Sequence, residues 1–199
     1  MTVLMLGAGL RTIQVLGDED FDGLIWAELV RGVLIFAFYG LLIRFYLLRG
    51  RPQRTSQSAP AFIGAIVATF LPFALPALVE PADSLPLLVT SNLLIAVGLI
   101  WSIWALRHLA RNVSIVPQAR ELVRSGPYAI LRHPLYVGEI VAVGGVVVGG
   151  GSLLAVVLLA VLVGLQIFRA IQEEAVLSAC FPEYAAYAQH TSRFVPGLV

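Results

Sequence analysis

The sequence has few charged residues, no lysine and a single cysteine. Only 13% of its 199 residues are charged, whereas a soluble domain carries about 25%. Hydrophobic residues make up 59% of the chain, which is more apolar surface than a water-soluble domain of this length can bury. The lone Cys180 excludes an internal disulfide and a cysteine-based zinc site. Composition thus excludes a soluble globular domain, a disordered chain and a disulfide scaffold, and it predicts one integral membrane domain over residues 1–199.

Familiar catalytic and nucleotide-binding motifs are also missing. The chain contains no GxSxG, no P-loop, no HExxH and no GxGxxG, so a soluble-type dinucleotide or hydrolase fold is not indicated. His108 and His190 lack partners at metal-ligand spacing, and we expect no metal site. We expect no nucleic-acid partner either.

Long apolar runs predict an all-α helical bundle. A membrane crossing needs about 20 helical residues, and the last run, 135–168, is 34 residues long. Three consecutive glycines at 149–151 lie in its middle, where a turn costs least. The run is therefore predicted to be a short hairpin. The five predicted transmembrane helices cover residues 24–48, 61–79, 85–106, 135–148 and 152–168.

The arginines are distributed asymmetrically along this predicted topology. Eleven of the 13 arginines lie in the last turns of the first helix or in the segments after the first, third and fifth helices, which five crossings place on one side. Acidic residues dominate residues 18–22 and the loop at 80–83 on the other side. The positive-inside rule then places the N-terminus outside and the C-terminus in the cytoplasm, across the inner membrane if the source is prokaryotic. The role of residues 1–23 stays open.

The first of two polar segments, residues 107–136, leads into the predicted hairpin. Pro134 disfavours helix at His133 and suits the first turn of the helix that follows. The N-terminal end of such a helix attracts a carboxylate. Tyr128 and Tyr136 add hydroxyls and aromatic surface. These side chains predict either a ligand site or an interfacial aromatic belt.

The second polar segment, residues 169–197, follows the hairpin. Arg169 and Glu173 are four residues apart and so share one helical face. On an exposed helix such a pair is worth a few tenths of a kcal/mol, but ionisable residues at membrane depth are costly and often functional. Glu174 points to another face and is expected to be solvated. If the hairpin folds back, both polar segments meet at one cytoplasmic face.

Weaker candidates lie within the spans. Glu139, one turn inside the fourth span, is predicted to face the site or an arginine. Glu28 and Arg31 are three residues apart and would neutralise one another. Gly145 and Gly149 have GxxxG spacing, which predicts close helix packing.

The two polar segments resemble the isoprenylcysteine carboxyl methyltransferase family. The first contains the GPYxxxRHPxYxG element over 126–138, and the second contains EExxLxxxF over 173–181, EYxxY over 183–187 and RxxP over 193–196. Pro182 departs from the family, which has glycine there. The resemblance covers residues 111–197, close to half of the chain, and phospholipid N-methyltransferases share the same C-terminal core.

This resemblance implies S-adenosylmethionine as methyl donor, bound at the cytoplasmic face of a catalytic core over 107–199, with three preceding helices over 24–106. Arg169 matches the position assigned to the substrate carboxylate, and Arg169 with Glu173 forms the implied catalytic pair. The implied cofactor contacts are Gln118, Arg120, Glu121, Leu122, Val123, Tyr128, His133, Pro134, Leu135, Tyr136 and Glu173.

Three classes of function stay open. An isoprenylcysteine-like carboxylate on a lipophilic or lipidated substrate is ionised at pH 7 and needs no base. A phospholipid amine or a small thiol must lose a proton, so Glu139 or His133 would act as base. A non-enzymatic membrane subunit or transporter predicts no cofactor binding. Against this third class, the polar residues cluster at one face and not at the bilayer midplane, where transporter sites lie.

Overall fold

A computed structural model describes residues 23–56, 58–78, 85–150 and 152–197. Most of this described chain is helical, as predicted, and two-residue strands form one small antiparallel sheet. The helices are α1 Gly23–Leu47, α2 Ala59–Leu78, α3 Leu85–Leu109, α4 Pro134–Gly150, α5 Leu153–Cys180 and α6 Tyr184–His190. The strands are β1 Arg54–Thr55 and β2 Gln118–Ala119, and short 3-10 turns cover Ala110–Asn112 and Gly126–Ala129.

The apolar helices suit a lipid environment. Among the described residues, Pro86–Leu109 and Leu153–Cys180 are each long and apolar enough to cross a membrane. Three shorter apolar stretches lie at Gly32–Phe45, Ala59–Pro72 and Pro134–Gly150. Large apolar side chains along these helices are exposed, including Leu153 at 80%, and a water-soluble monomer does not present such faces.

The α3–α4 interface is the most extensive helix contact in the described chain, and glycines allow it. A Cβ added at Gly98 would lie 2.4 Å from the backbone nitrogen of Ala142. One added at Gly138 would lie 2.8 Å from the Gly98 carbonyl oxygen, and one at Gly145 would lie 2.8 Å from the Ser91 carbonyl oxygen. The predicted packing role of Gly145 is thus confirmed, and a Cβ at Gly149 would likewise meet the Ser91 side chain.

Gly98→Ala is expected to destabilise the protein by about 1–3 kcal/mol, because the added carbon would overlap backbone atoms of α4 that move only if the helices separate. Gly144→Ala on α4 is the matched control, since its added Cβ meets no atom within 4 Å and alanine is the better helix former. Thermal unfolding in detergent measures both variants. Equal melting temperatures would contradict this account of the interface.

Helices α4 and α5 form the predicted hairpin. Helix α4 ends at Gly150 and α5 begins at Leu153, and the Ser152 hydroxyl caps α5 by accepting a hydrogen bond from the Ala155 N–H at 3.1 Å. Gly149 and Gly150, which were predicted to lie in the turn, lie inside α4 instead, and Gly149 packs there against Ser91 of α3. Helix α5 continues to Cys180, well beyond the predicted end of the span at 168.

The polar segments are tied to one another and to the first half of the chain. The Arg132 N–H donates to the Ser192 carbonyl at 2.8 Å, which places the C-terminal segment beside the start of α4. The Gln53 N–H donates to the Ala119 carbonyl at 2.7 Å, within the β1–β2 sheet region. The Arg120 Nε donates to the Gly50 carbonyl at 2.8 Å. The connection between α1 and α2 therefore holds the segment that precedes α4 in place through these hydrogen bonds.

Candidate active site

A cavity lies where the two polar segments meet at one end of α4 and α5. Residues from α2, from the segment between α3 and α4, and from α4, α5 and α6 line it. The predicted site residues in its lining are Gln118, Arg120, Glu121, Leu122, Val123, Tyr128, His133, Leu135, Tyr136, Arg169 and Glu173. Pro134, the other predicted contact, is fully buried and outside this lining.

The start of α4 positions two of the aromatic side chains. Helix α4 begins at Pro134, whose fixed φ suits the first helical turn and whose missing N–H costs nothing there. The Trp101 indole N–H donates to the Pro134 carbonyl at 2.8 Å and fixes this end against α3. His133 stacks on Tyr136 with ring centroids 5.4 Å apart and planes 6° from parallel. Both stacked rings belong to the lining of the cavity.

Arg169, Glu173 and Tyr136 form a buried polar cluster. The Arg169 Nε donates to Glu173 Oε1 at 3.1 Å, and the Tyr136 hydroxyl donates to the same oxygen. The guanidinium carbon lies 4.8 Å from the Tyr136 ring centroid. The predicted pairing of Arg169 with Glu173 is confirmed, and the Arg169 side chain is only 6% exposed, so the pair is not a surface ion pair.

Two further hydrogen bonds fix the Arg169 guanidinium. Its Nη1 donates to Thr69 Oγ1 of α2 at 3.3 Å, and its Nη2 donates to the Ser114 carbonyl at 3.0 Å. Sequence reasoning missed Thr69 and Ser114, because a hydroxyl in an apolar helix and a loop carbonyl carry no pattern of their own. Arg169 therefore joins α2, the segment before α4, and α5 at the cavity.

The expectation that Glu174 is solvated is wrong. Its side chain is 12% exposed, and Arg193 holds it through two N–H groups, at 2.9 and 2.8 Å. His133 Nε2 lies 3.0 Å from Glu174 Oε1, and Arg132 Nε lies 3.4 Å from the same oxygen. Helical periodicity could not show this, because the C-terminal segment returns along the start of α4 and places Arg193 over that face.

Two tyrosines of α6, Tyr184 and Tyr187, also line the cavity. The Tyr187 hydroxyl donates to the Tyr128 carbonyl at 2.7 Å. Burial raises the pKa of Tyr187 to about 12 and raises the pKa of Tyr128 further above its usual value. The side chains of Tyr187 and Tyr128 are therefore neutral phenols at pH 7. In the sequence, the EYxxY element over 183–187 marks Tyr184 and Tyr187.

Two of the predicted cofactor residues also hold the cavity wall in place. The Arg120 side chain donates to the Gly50 carbonyl and to Gln118 Oε1. The Gln53 side chain donates to the Arg120 carbonyl at 2.8 Å. Glu121 Oε2 accepts a hydrogen bond from the Asn112 side chain at 3.4 Å. Arg120 and Gln118 thus fix the shape of the segment that lines the cavity, in addition to their predicted contact with the cofactor.

Glu139 also lines the cavity, which confirms the prediction that it faces the site. The Gln166 side chain of α5 donates to Glu139 Oε2 at 2.7 Å. Gln166 is fully buried, and its only signal in the sequence is a polar residue inside an apolar run. The side chains of Glu28 and Arg31, the other candidate pair within a span, lie outside the described residues.

The described residues contain no group of three or more histidine, cysteine, aspartate or glutamate side chains that could hold a metal ion. His108 contacts its own helix, with Nδ1 3.0 Å from the Trp104 carbonyl oxygen. A Cβ added at Gly126, whose φ is +60°, would overlap the His108 ring. His190 is exposed on α6. Neither histidine takes part in the cavity.

The phospholipid methyltransferase family model matches residues 87–184, nearly half of the chain. This family is related to the isoprenylcysteine carboxyl methyltransferases, so the resemblance drawn from the sequence is confirmed. The matched range includes nearly all of α3, the whole of α4 and α5, and all of the predicted cofactor and catalytic residues. The match indicates a membrane methyltransferase.

Two curated relatives are named for metal resistance. The chain is 32% identical over 115 residues to the cobalt-zinc-cadmium resistance protein CzcN of Cupriavidus metallidurans, covering 57% of this chain and 51% of that protein. It is 32% identical over 116 residues to the nickel-cobalt-cadmium resistance protein NccN of Alcaligenes xylosoxydans xylosoxydans, covering 58% and 52%. The chain thus spans about half the length of these relatives.

Proposed function

We propose that this protein is an integral membrane methyltransferase that moves a methyl group from S-adenosylmethionine to a lipophilic acceptor. The observation that carries the proposal is the meeting of two sequence-distant segments in one cavity. Tyr128, His133 and Tyr136 come from the first segment and Glu173 from the second. These residues lie within the range that matches the methyltransferase family model.

The chemistry of the lining fits S-adenosylmethionine. Glu173 is placed to accept hydrogen bonds from the cofactor's amine or ribose hydroxyls, and the side chains of Tyr128, His133 and Tyr136 add aromatic surface to the lining. The N-terminal end of α4 suits its carboxylate. When bound, the cofactor supplies a methyl group on a positively charged sulfur, which makes that carbon electrophilic.

The chain's own residues contribute positioning and exclusion of water. Buried side chains such as Tyr136 and Arg169 surround the cavity, and an acceptor atom held in line with the methyl group reacts without the entropic cost of a bimolecular encounter. Large apolar faces on α2 and α5 are exposed around the site. A lipid-like tail would stay in the bilayer while its polar head reaches the cavity.

The first candidate acceptor is an isoprenylcysteine-like carboxylate held by Arg169. A guanidinium has five N–H groups, and the described partners Glu173, Thr69 and Ser114 engage three nitrogens once each. The fixed orientation of the guanidinium supports a bidentate grip on an anionic head group. The second candidate, a phospholipid amine or a thiol, is supported by Glu139, because such an acceptor must lose a proton.

Isothermal titration calorimetry of the detergent-solubilised protein with S-adenosylhomocysteine tests the proposal. We expect about micromolar binding that is lost in His133→Ala and Glu173→Gln. His190→Ala is the matched control, because His190 is exposed and away from the cavity, and it should bind like the wild type. A folded wild-type sample that does not bind would refute methyl transfer and leave the membrane subunit or transporter.

We also propose that α1 to α5 all cross the membrane, with the C-terminus in the cytoplasm. The arginine distribution supports this orientation. In a Cys180→Ser background, Asp83→Cys should react with a membrane-impermeant thiol reagent added outside, and Ser56→Cys should not. Asp83 lies outside the described residues, between α2 and α3. Labelling of both positions, or of Ser56→Cys alone, would contradict the topology.

A further inference from the structure

We infer that Glu139 is the proton acceptor of the reaction and that Gln166 is its positioning residue. This inference rests on the proposed function and assigns to the cavity a catalytic group besides Arg169 and Glu173. It requires that the attacking atom of the acceptor carries a proton, as in an amine or a thiol.

Glu139 lies deeper in the bundle than the predicted cofactor contacts. It is five residues after Pro134, about one and a half turns into α4, and it lines the same cavity as Arg169. The Gln166 amide donates to its Oε2 at 2.7 Å. Because Gln166 is fully buried, its side chain holds the Glu139 carboxylate in one orientation toward the cavity.

The charges at this end of the cavity do not cancel. Arg169 is ion-paired with Glu173 at 3.1 Å, whereas the ion pairs of the described residues do not include Glu139. The cavity therefore carries two carboxylates and one guanidinium at its inner end. Besides Arg169 and Glu173, three tyrosines lie near enough to interact electrostatically with Glu139: Tyr39 on α1, Tyr128 before α4 and Tyr136 on α4.

The hydrogen-bonding groups of the cavity also favour a methyl acceptor that carries an N–H or S–H donor. The Glu139 carboxylate, which lines the cavity, only accepts hydrogen bonds when it is ionised. An ionised carboxylate on the methyl acceptor would bring more acceptors and more negative charge. An amine or a thiol brings an N–H or S–H donor. A head group that also carries an anionic group would satisfy Arg169 at the same time.

The step conserves atoms and charge. The proton of the attacking nitrogen or sulfur moves to a Glu139 oxygen, and the lone pair left on that atom forms the new bond to the methyl carbon. The carbon–sulfur bond of the cofactor breaks with its electron pair on sulfur, which leaves a neutral thioether. Glu139 then returns its proton to water.

Glu139→Gln tests the inference, because it keeps the shape of the side chain and an oxygen for Gln166 while it removes the basic carboxylate. The probes are phosphatidylethanolamine vesicles, 1-dodecanethiol and N-acetyl-S-farnesylcysteine, each with radiolabelled S-adenosylmethionine. We expect methylation of the amine or the thiol, a kcat lowered by about 100-fold or more in Glu139→Gln, and unchanged affinity for S-adenosylhomocysteine. The exposed Glu183→Gln is the control and should keep wild-type kcat.

Two further readouts separate this role from a structural one. The wild-type rate should rise with pH through an ionisation that Glu139→Gln lacks. With S-adenosylhomocysteine bound, the wild type should bind dodecylamine in preference to dodecanoate, and Glu139→Gln should lose that preference.

Three results would overturn the inference but not methyl transfer itself. The first is turnover of N-acetyl-S-farnesylcysteine alone. The second is full activity of Glu139→Gln toward an amine or a thiol. The third is binding of dodecanoate equal to or tighter than dodecylamine. Failure of the folded wild type to bind S-adenosylhomocysteine is the separate result that removes the proposed function as well.

Discussion

Replacement of Arg169 by alanine is expected to lower kcat by about 100- to 1000-fold, the effect of removing one donor that stabilises charge in a buried site. The Arg169 guanidinium is 6% exposed and is oriented by Glu173, Thr69 and Ser114. Alanine leaves no cation at this position to orient an anionic head group. The acceptor would therefore bind in many orientations, and few of these align it with the methyl group.

Affinity for S-adenosylhomocysteine should change much less in Arg169→Ala. Glu173 keeps the hydrogen bond from the Tyr136 hydroxyl, and Tyr136 keeps its stacking contact with His133 although its ring loses the contact with the guanidinium. Calorimetry gives the affinity, and a methyl-transfer assay gives kcat and KM for each probe. An equal loss of cofactor binding and turnover would contradict a role of Arg169 at the acceptor.

Two control variants sharpen this test. Arg169→Lys keeps the positive charge but lacks the planar fork, so it should keep cofactor affinity and recover only part of kcat. Arg124→Ala removes an arginine that is 51% exposed and paired with Glu183 at 3.3 Å. It should leave both quantities unchanged. A full recovery of kcat by Arg169→Lys would show that charge alone, without the oriented fork, is sufficient.

Replacement of Glu174 by alanine is expected to destabilise the protein by about 3–5 kcal/mol, the range for breaking a buried ion pair. Arg193, Arg132 and His133 all converge on its carboxylate. The hydrogen bond to Glu174 raises the pKa of Arg193, so this arginine stays charged. Without Glu174, two guanidinium groups would face each other at the start of α4 with no anion between them.

Glu183→Ala is the matched control for Glu174→Ala. Both glutamates pair with an arginine of the polar segments, but the side chain of Glu183 is 44% exposed and that of Glu174 is 12% exposed. An exposed pair contributes at most about 1 kcal/mol. The free energy of unfolding of both variants is measured in detergent, with circular dichroism as the probe of helix content. Equal destabilisation by the two substitutions would mean that the Glu174 cluster does not tie the C-terminal segment to α4.

Much of the fold could be predicted from the sequence because helices in lipid are specified locally. Each helix must satisfy its backbone polar groups by hydrogen bonds within itself, and its length is set by the thickness of the bilayer. The apolar run at 135–168 and its central glycines were therefore enough to predict the hairpin. The resemblance of the two polar segments to a methyltransferase family was also enough to predict many of the residues that line the cavity, while their binding of the cofactor stays a prediction.

Only the tertiary structure decided how those residues are supported. Glu174 seemed solvated because helical periodicity describes one helix, whereas its partner Arg193 arrives from 19 residues further along the chain. Thr69 reaches Arg169 across 100 residues, and Gln166 reaches Glu139 from the other arm of the hairpin. Such contacts depend on how helices pack side by side, and no local pattern of apolar and polar residues records that packing.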